Sequence, residues 1–248
     1  MNLGPALNIE GGKTDQSAVE RLKAYGQELG KSLFELGINC NFAPVLDILT
    51  EPTNIAIGDR CFGKEPSSVV IRGGAVLMGM NASGILTCIK HFPGQGNAKI
   101  DTHESAATID ISLTLLHQRE LFPFVSLHKY APMLMVSHCK YPSLDTKPAS
   151  LSKAIMTDLI RTDLKYTGVV VTDDMTMGAM PSDIKAWKES ILASIAAGAD
   201  LVLVCNSLEK WQMALDAIRA ESSRSHAFAK RLAEAAARVT QMRQKFFR

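Results

Sequence analysis

The chain has no CxxC pair: its five cysteines, Cys40, Cys61, Cys88, Cys139 and Cys205, stand singly. That spacing argues against a zinc ribbon or a dithiol redox centre. Cys40, Cys88 and Cys205 sit in apolar runs and are expected as buried free thiols, which fits a reducing, cytoplasmic setting. No apolar run is long enough to cross a bilayer. The opening MNLGPALNIEGG lacks a basic region followed by an apolar core, so it does not read as a secretory signal. Charge is nearly balanced, 27 Lys and Arg against 25 Asp and Glu, and this net +2 gives no electrostatic reason to expect a nucleic acid or membrane partner. With no low-complexity tract and no linker, residues 1–248 read as one domain.

What is present is an alternation of helical and extended patterns. At 46% apolar and 21% charged residues, the chain can bury a large core. Residues 15–36 predict a helix, with Leu22, Tyr25, Leu29, Leu33 and Leu36 recurring every three or four positions. Ser17 and Glu20 suit a capping box, and Gly37 ends the helix. Strands are predicted at 38–46, 85–91, 132–138, 168–172 and 200–205. These are nearly continuous apolar runs, the pattern of a parallel sheet covered on both faces. Helices are predicted at 66–81, 113–130, 152–164, 184–197, 208–220 and 227–246. The Lys and Arg residues from Arg224 onward read as the wet face of the last helix. This order is α/β and fits a doubly wound sheet or part of an eightfold barrel. Polar residues gather at the strand ends: Asp47, Lys90 with His91, Ser137 with His138, Asp173 with Asp174, and Asn206. In parallel α/β proteins that edge carries the active site.

Each polar motif has a functional and a bland reading. In KHFPGQGNAKIDTHES, residues 90–105, Lys90 and His91 either hydrogen-bond a polar ligand or are ion-paired or otherwise satisfied polar residues at the rim. Pro93, Gly94 and Gly96 shape a tight loop. Asp101 and His103 lie two apart, and a carboxylate beside an imidazole makes a proton donor near neutral pH; a solvated loop pair is the alternative. Asp173 and Asp174 close a valine run as nucleophile, general base or metal ligand, or as a helix N-cap, the reading favoured for Asp174. Arg60 either binds an anionic or hydroxyl-rich ligand or pairs with Asp59. His138 is a ligand contact or a buried core histidine, and His117, His128 and His226 are surface or packing residues.

Taken in order, the segments GINCNFAPVLDI (37–48), IGDRCFG (57–63), IKHFPGQG (89–96), IDTHES (100–105), MVSH (135–138), ASLSKAIMTDLIRTDLKYTGVVVTDDMTM (149–177) and AGADLVLVC (197–205) resemble glycoside hydrolase family 3. The similarity is to its single-domain β-N-acetylhexosaminidase branch. It implies a TIM-type (β/α)8 barrel acting on terminal β-linked N-acetylglucosamine, as in peptidoglycan-fragment recycling, without metal or organic cofactor. Asp173 matches the nucleophile, and Asp101 with His103 the acid/base dyad of a retaining glycosidase. Arg60, Lys90 and His91 match sugar-binding positions, and His138 is expected beside them. The implied partner is a small carbohydrate.

The chain departs from the family pattern in three ways. Gln95 stands where the family has a second histidine, and Asn97 where it has aspartate. Five strand–helix units are visible where a closed barrel needs eight, so the barrel is expected to be incomplete at its N-terminus. The family's EGGR segment has no counterpart; Glu10-Gly11-Gly12-Lys13 lacks its aspartate and arginine. An open barrel leaves the strand at 38–46 as an edge, which predicts self-association there. The alternative to an active enzyme is a truncated, inactive or sugar-binding descendant.

Overall fold

The computed structural model describes residues 16–99 and 105–246. They form two compact units, one drawing on residues 1–97 and 114–134, the other on 98–113 and 135–248.

In the first unit, α1 (Gln16–Glu35) packs on α2 (Pro66–Ala82). The buried row of α1 is Ala18, Leu22, Gly26 and Gly30. It is offset from the predicted leucine stripe: Leu29 is partly buried and Leu36 is exposed. The small residues decide this. A Cβ on Gly79 of α2 would stand 2.2 Å from the Lys23 carbonyl, and one on Gly26 2.5 Å from the Val76 carbonyl. The two backbones therefore touch where only glycine fits. Ser17 lies inside α1, where its hydroxyl accepts from Arg21 at 2.9 Å instead of capping.

The extended run predicted at 38–46 contains only a two-residue strand, β1 (Cys40–Asn41). It pairs in parallel with β2 (Leu86–Phe92), with Cys40 opposite Leu86. Beyond it Pro44 has no amide to donate, yet contact with β2 continues: the Ala43 and Pro44 carbonyls accept from Cys88 N at 3.0 Å and Lys90 N at 3.2 Å, and Leu46 N donates to the Lys90 carbonyl at 2.6 Å. The helix predicted at 113–130 comes in pieces: α3 (Leu113–Leu115), a wide turn (Leu116–Glu120) and α4 (Phe122–Leu127). In the wide turn the Leu121 amide reaches back five residues to the Leu116 carbonyl at 2.9 Å.

The strand β3 (Met133–Val136) is buried throughout and divided between the units. Strand order is β1-β2-β3 in the first unit and β3-β6-β7 in the second. There β6 (Val169–Asp174) runs parallel to β7 (Leu201–Leu203), with Asp174 opposite Leu203. A hairpin of β4 (Lys140–Tyr141) and β5 (Asp145–Pro148), not foreseen from the sequence, follows β3. Helix α5 (Ile184–Ala197) is capped by the Asp183 carboxylate, which accepts from Ala186 N, and stops at Gly198 with φ +135°. Helix α6 (Leu208–Arg224) is capped by Ser207. Helix α7 (His226–Phe246) turns Arg231 and Arg238 toward the Asp200 carboxylate, whose side chain is closed off from solvent and which also takes Arg161. Two of its basic residues thus face inward, against the wet-face reading.

The cysteine expectation holds only in part. Cys88 and Cys139 are buried, Cys40 and Cys61 half-buried, and Cys205 is exposed because β7 ends before it. Among the described residues no helix is long and apolar enough to cross a membrane.

Candidate functional site

The first unit builds its polar cluster around Asp47, which follows the β1 run and is fully buried. Its carboxylate accepts from the Gln95 amide at 2.7 Å and from the His91 amide at 3.3 Å, and lies 2.6 Å from His91 Nδ1. One side chain therefore gathers the end of β2 and the loop beyond it. Asn54 adds a bond from Nδ2 to the Gln95 carbonyl at 2.9 Å. The peptides Lys90–His91 and Phe92–Pro93 are cis. A Cβ on Gly96 would stand 1.8 Å from the Ile48 carbonyl, so this loop passes the Asp47 segment at backbone contact. Lys90 is half-buried at the strand edge, and His91 is buried. Gln95 is buried too, its backbone held from both sides. Asn97 donates to the Thr50 hydroxyl at 3.0 Å. Arg60 closes the short turn Gly58–Arg60, is exposed, and donates to the Ala56 carbonyl.

Glu120 belongs to this unit and was missed in the sequence, where QRELFPF reads as part of a helix. It is fully buried. Its Oε1 takes Arg119 at 2.6 and 2.7 Å. Burial pushes its carboxyl up to about 7; the charge and hydrogen bond of Arg119 oppose this, and the charge of Asp47 adds to it. A charged residue within an otherwise apolar helical face was the available signal.

In the second unit, Asp173 and Asp174 end β6 with different environments. The carboxylate of Asp174 accepts from Thr176 N at 2.9 Å, Thr176 Oγ1 at 2.6 Å and Cys205 N at 3.0 Å. It ties the end of β6 to the segment after β7. It is not a helix cap, since the next helix begins at Ile184 with Asp183 as its cap. Asp173 is half-exposed, and its Oδ1 accepts the Asp174 amide at 2.9 Å. His138 is buried, with Nδ1 2.6 Å from Ser150 Oγ and Nε2 3.1 Å from the Asp174 carbonyl. A carbonyl only accepts, so Nε2 carries a proton and braces the same strand end. Asp101 and His103 lie outside the described residues. Of the other histidines, His128 is buried and bonded to the Val125 carbonyl at 2.8 Å, a packing role. Among the described residues no group of three or more His, Cys, Asp or Glu is arranged to hold a metal ion.

Residues 9–242 match the family described as glycosyl hydrolase family 3 N terminal domain. Beta-hexosaminidase A of Pseudoalteromonas piscicida is 36% identical over 190 residues, covering 71% of this chain and 32% of that protein. Beta-hexosaminidase of Pseudomonas aeruginosa strain LESB58 is 33% identical over 203 residues, covering 82% of this chain and 60% of that protein. A solved structure of a glycoside hydrolase family 3 beta-N-acetylglucosaminidase from Paenibacillus sp. str. FPU-7 superposes with a TM-score of 0.85 and 33% identity, over 91% of this chain and 43% of that one. The chain thus spans 32% to 60% of the length of these relatives. Its fold is the TIM-like (β/α) fold of that domain with the barrel incomplete: the strands β1, β2, β3, β6 and β7 stand among the described residues where a closed barrel has eight. By the match across nearly its whole length, the chain belongs to glycosyl hydrolase family 3, as a member of its N-terminal domain.

Proposed function

We propose that this chain carries the chemistry of a retaining glycoside hydrolase that releases terminal β-linked N-acetylglucosamine, peptidoglycan fragments being the substrate class. The observation that carries this reading is the end of β6. Asp174 is committed to three backbone and hydroxyl donors, and beside it Asp173 presents a half-exposed carboxylate. The names of the relatives, beta-hexosaminidase and beta-N-acetylglucosaminidase, support the substrate.

In this proposal Asp173 attacks the anomeric carbon as positive charge develops on the sugar ring, forming a glycosyl-enzyme intermediate. His103, held by Asp101, gives a proton to the departing oxygen and then takes one from the water that frees the sugar. Arg60, Lys90, His91 and His138 serve the sugar side, with His91 and His138 holding the loop and the strand end to which they are bonded. No metal or organic cofactor enters these steps. The setting is cytoplasmic. Self-association beside β1 belongs to the same proposal, supported by the exposed side chains of Phe34, Leu36 and Ile38.

The test is release of nitrophenol from an aryl β-N-acetylglucosaminide. The wild type is expected to turn over, and Asp173→Ala and His103→Ala to be silent while folded. A folded, silent wild type rejects catalysis. A second reading, a sugar-binding descendant without turnover, is favoured by Gln95 and Asn97, which stand where the family pattern has histidine and aspartate. Calorimetry with N-acetylglucosamine separates the two.

A further inference from the structure

Glu120 has no part in the chemistry above, yet its position is built. The wide turn Leu116–Glu120 adds a residue to the helical register and re-aims the side chain at its end. It brings Glu120 against the loop after β2. A Cβ built on Gly94 would stand 2.9 Å from Glu120 Cβ and 3.3 Å from its Oε2. Gly94, at φ +119°, also donates its amide to the His91 carbonyl at 2.8 Å. The loop that Asp47 gathers is therefore in direct contact with a second buried carboxyl group.

The two oxygens of that group differ. Oε1 is paired with Arg119, while Oε2 is buried with no hydrogen-bond partner among the described residues. A carboxylate oxygen sealed from water without donors is costly, and a proton on it removes most of that cost. The charged and titratable groups acting on Glu120 are Arg119 from its own turn and Asp47 from the segment after β1, with His91 of β2 bonded to Asp47.

We infer that Glu120 is a positioning residue for the sugar-binding loop: in its neutral form it seats the backbone of Gly94, and with it the segment carrying Lys90, His91 and Gln95. Once ionised, Oε2 demands donors, and the neighbour able to move aside for water is the Gly94 backbone. The charge that Glu120 adds also acts on the Asp47–His91 pair. The ligand in this inference rests on the N-acetylglucosaminidase reading, whereas the coupling of Glu120 to the loop does not.

The experiment uses the full chain and two readouts. Amide NMR follows the Gly94 resonance, the group in contact with Glu120, as pH is raised through the neutral range. Calorimetry measures N-acetylglucosamine affinity at about pH 6 and about pH 8, on either side of the Glu120 ionisation. The wild type is expected to show a Gly94 amide inflection near pH 7, where Glu120 ionises, and about fivefold weaker binding at the higher pH, an ordinary coupling between sites. Glu120→Gln keeps the shape of the neutral acid and should abolish both effects. An inflection that survives Glu120→Gln, or a wild type without one, overturns the inference. Should Glu120→Gln not fold, the wild-type Gly94 amide decides alone, and a resonance indifferent to pH rejects the contact. Absence of sugar binding at both pH values rejects the sugar reading alone, because the Gly94 amide still reports on Glu120.

Discussion

The imidazole of His91 lies 2.6 Å from the carboxylate of Asp47, and both residues are closed off from solvent. The same carboxylate takes the amides of His91 and Gln95, so it acts on main chain and side chain together. Replacing it strands several buried donors at once. Asp47→Ala is expected to lower stability by about 3–5 kcal/mol, the range for breaking a buried pair. Denaturant unfolding measures this, and a loss below about 1 kcal/mol would mean that water replaces the carboxylate.

The neighbours Asp173 and Asp174 should separate cleanly. Asp174 makes two bonds to Thr176 and one to Cys205 N in the segment after β7, so Asp174→Ala is expected to cost about 1–3 kcal/mol of stability. Asp173→Ala should leave the melting temperature unchanged within the scatter of surface substitutions and abolish aryl-glycoside turnover. Thermal denaturation beside the nitrophenol assay checks both. A destabilised Asp173→Ala with residual activity would exchange the two roles.

The raised carboxyl of Glu120 carries a stability signature of its own. Its folded value of about 7 exceeds the ordinary glutamate value of 4.5, so between these pH values the folded chain holds a proton that the unfolded chain has released. Folding is then favoured less as pH rises across that window, by about 3 kcal/mol for this group, and flattens above it. Unfolding midpoints at about pH 5 and about pH 7.5 in wild type and Glu120→Gln give the comparison. An equal slope in both proteins would assign the pH dependence to other groups.

Glycines at backbone contacts should behave unlike glycines in open turns. Gly79→Ala places a methyl group 2.2 Å from the Lys23 carbonyl, and Gly96→Ala places one 1.8 Å from the Ile48 carbonyl. Both are expected among the most disruptive substitutions, at about 4–5 kcal/mol. At Gly37 nothing lies within 4 Å, so Gly37→Ala meets only the cost of its φ of +77°, about 1–2 kcal/mol. Expression yield and unfolding midpoints rank the three.

Local chemistry made much of the architecture legible. The helix expected at 184–197 coincides with α5, which Asp183 caps and Gly198 ends. Strands β2, β3 and β6 declared themselves as apolar runs with polar residues at their ends. The ordered motifs went further and named the family that the chain matches. Each of these signals lies within a few residues of the structure it specifies.

Other features depended on partners distant in the chain. Arg231 and Arg238 sit in a basic helix whose period cannot say which of them meets Asp200, 31 and 38 residues earlier. The shift of the α1 contact from leucines to Gly26 and Gly30 came from the glycines of α2, since close approach of two backbones outweighs a stripe of larger side chains. The burial of Glu120 came from a helical turn wound one residue wide against Gly94. The sequence alone therefore determined the main helices and strands, the polar residues at the strand ends and the family. Tertiary structure decided which charged side chains face inward, because burial is settled by the surface an element meets and that surface is encoded elsewhere in the chain.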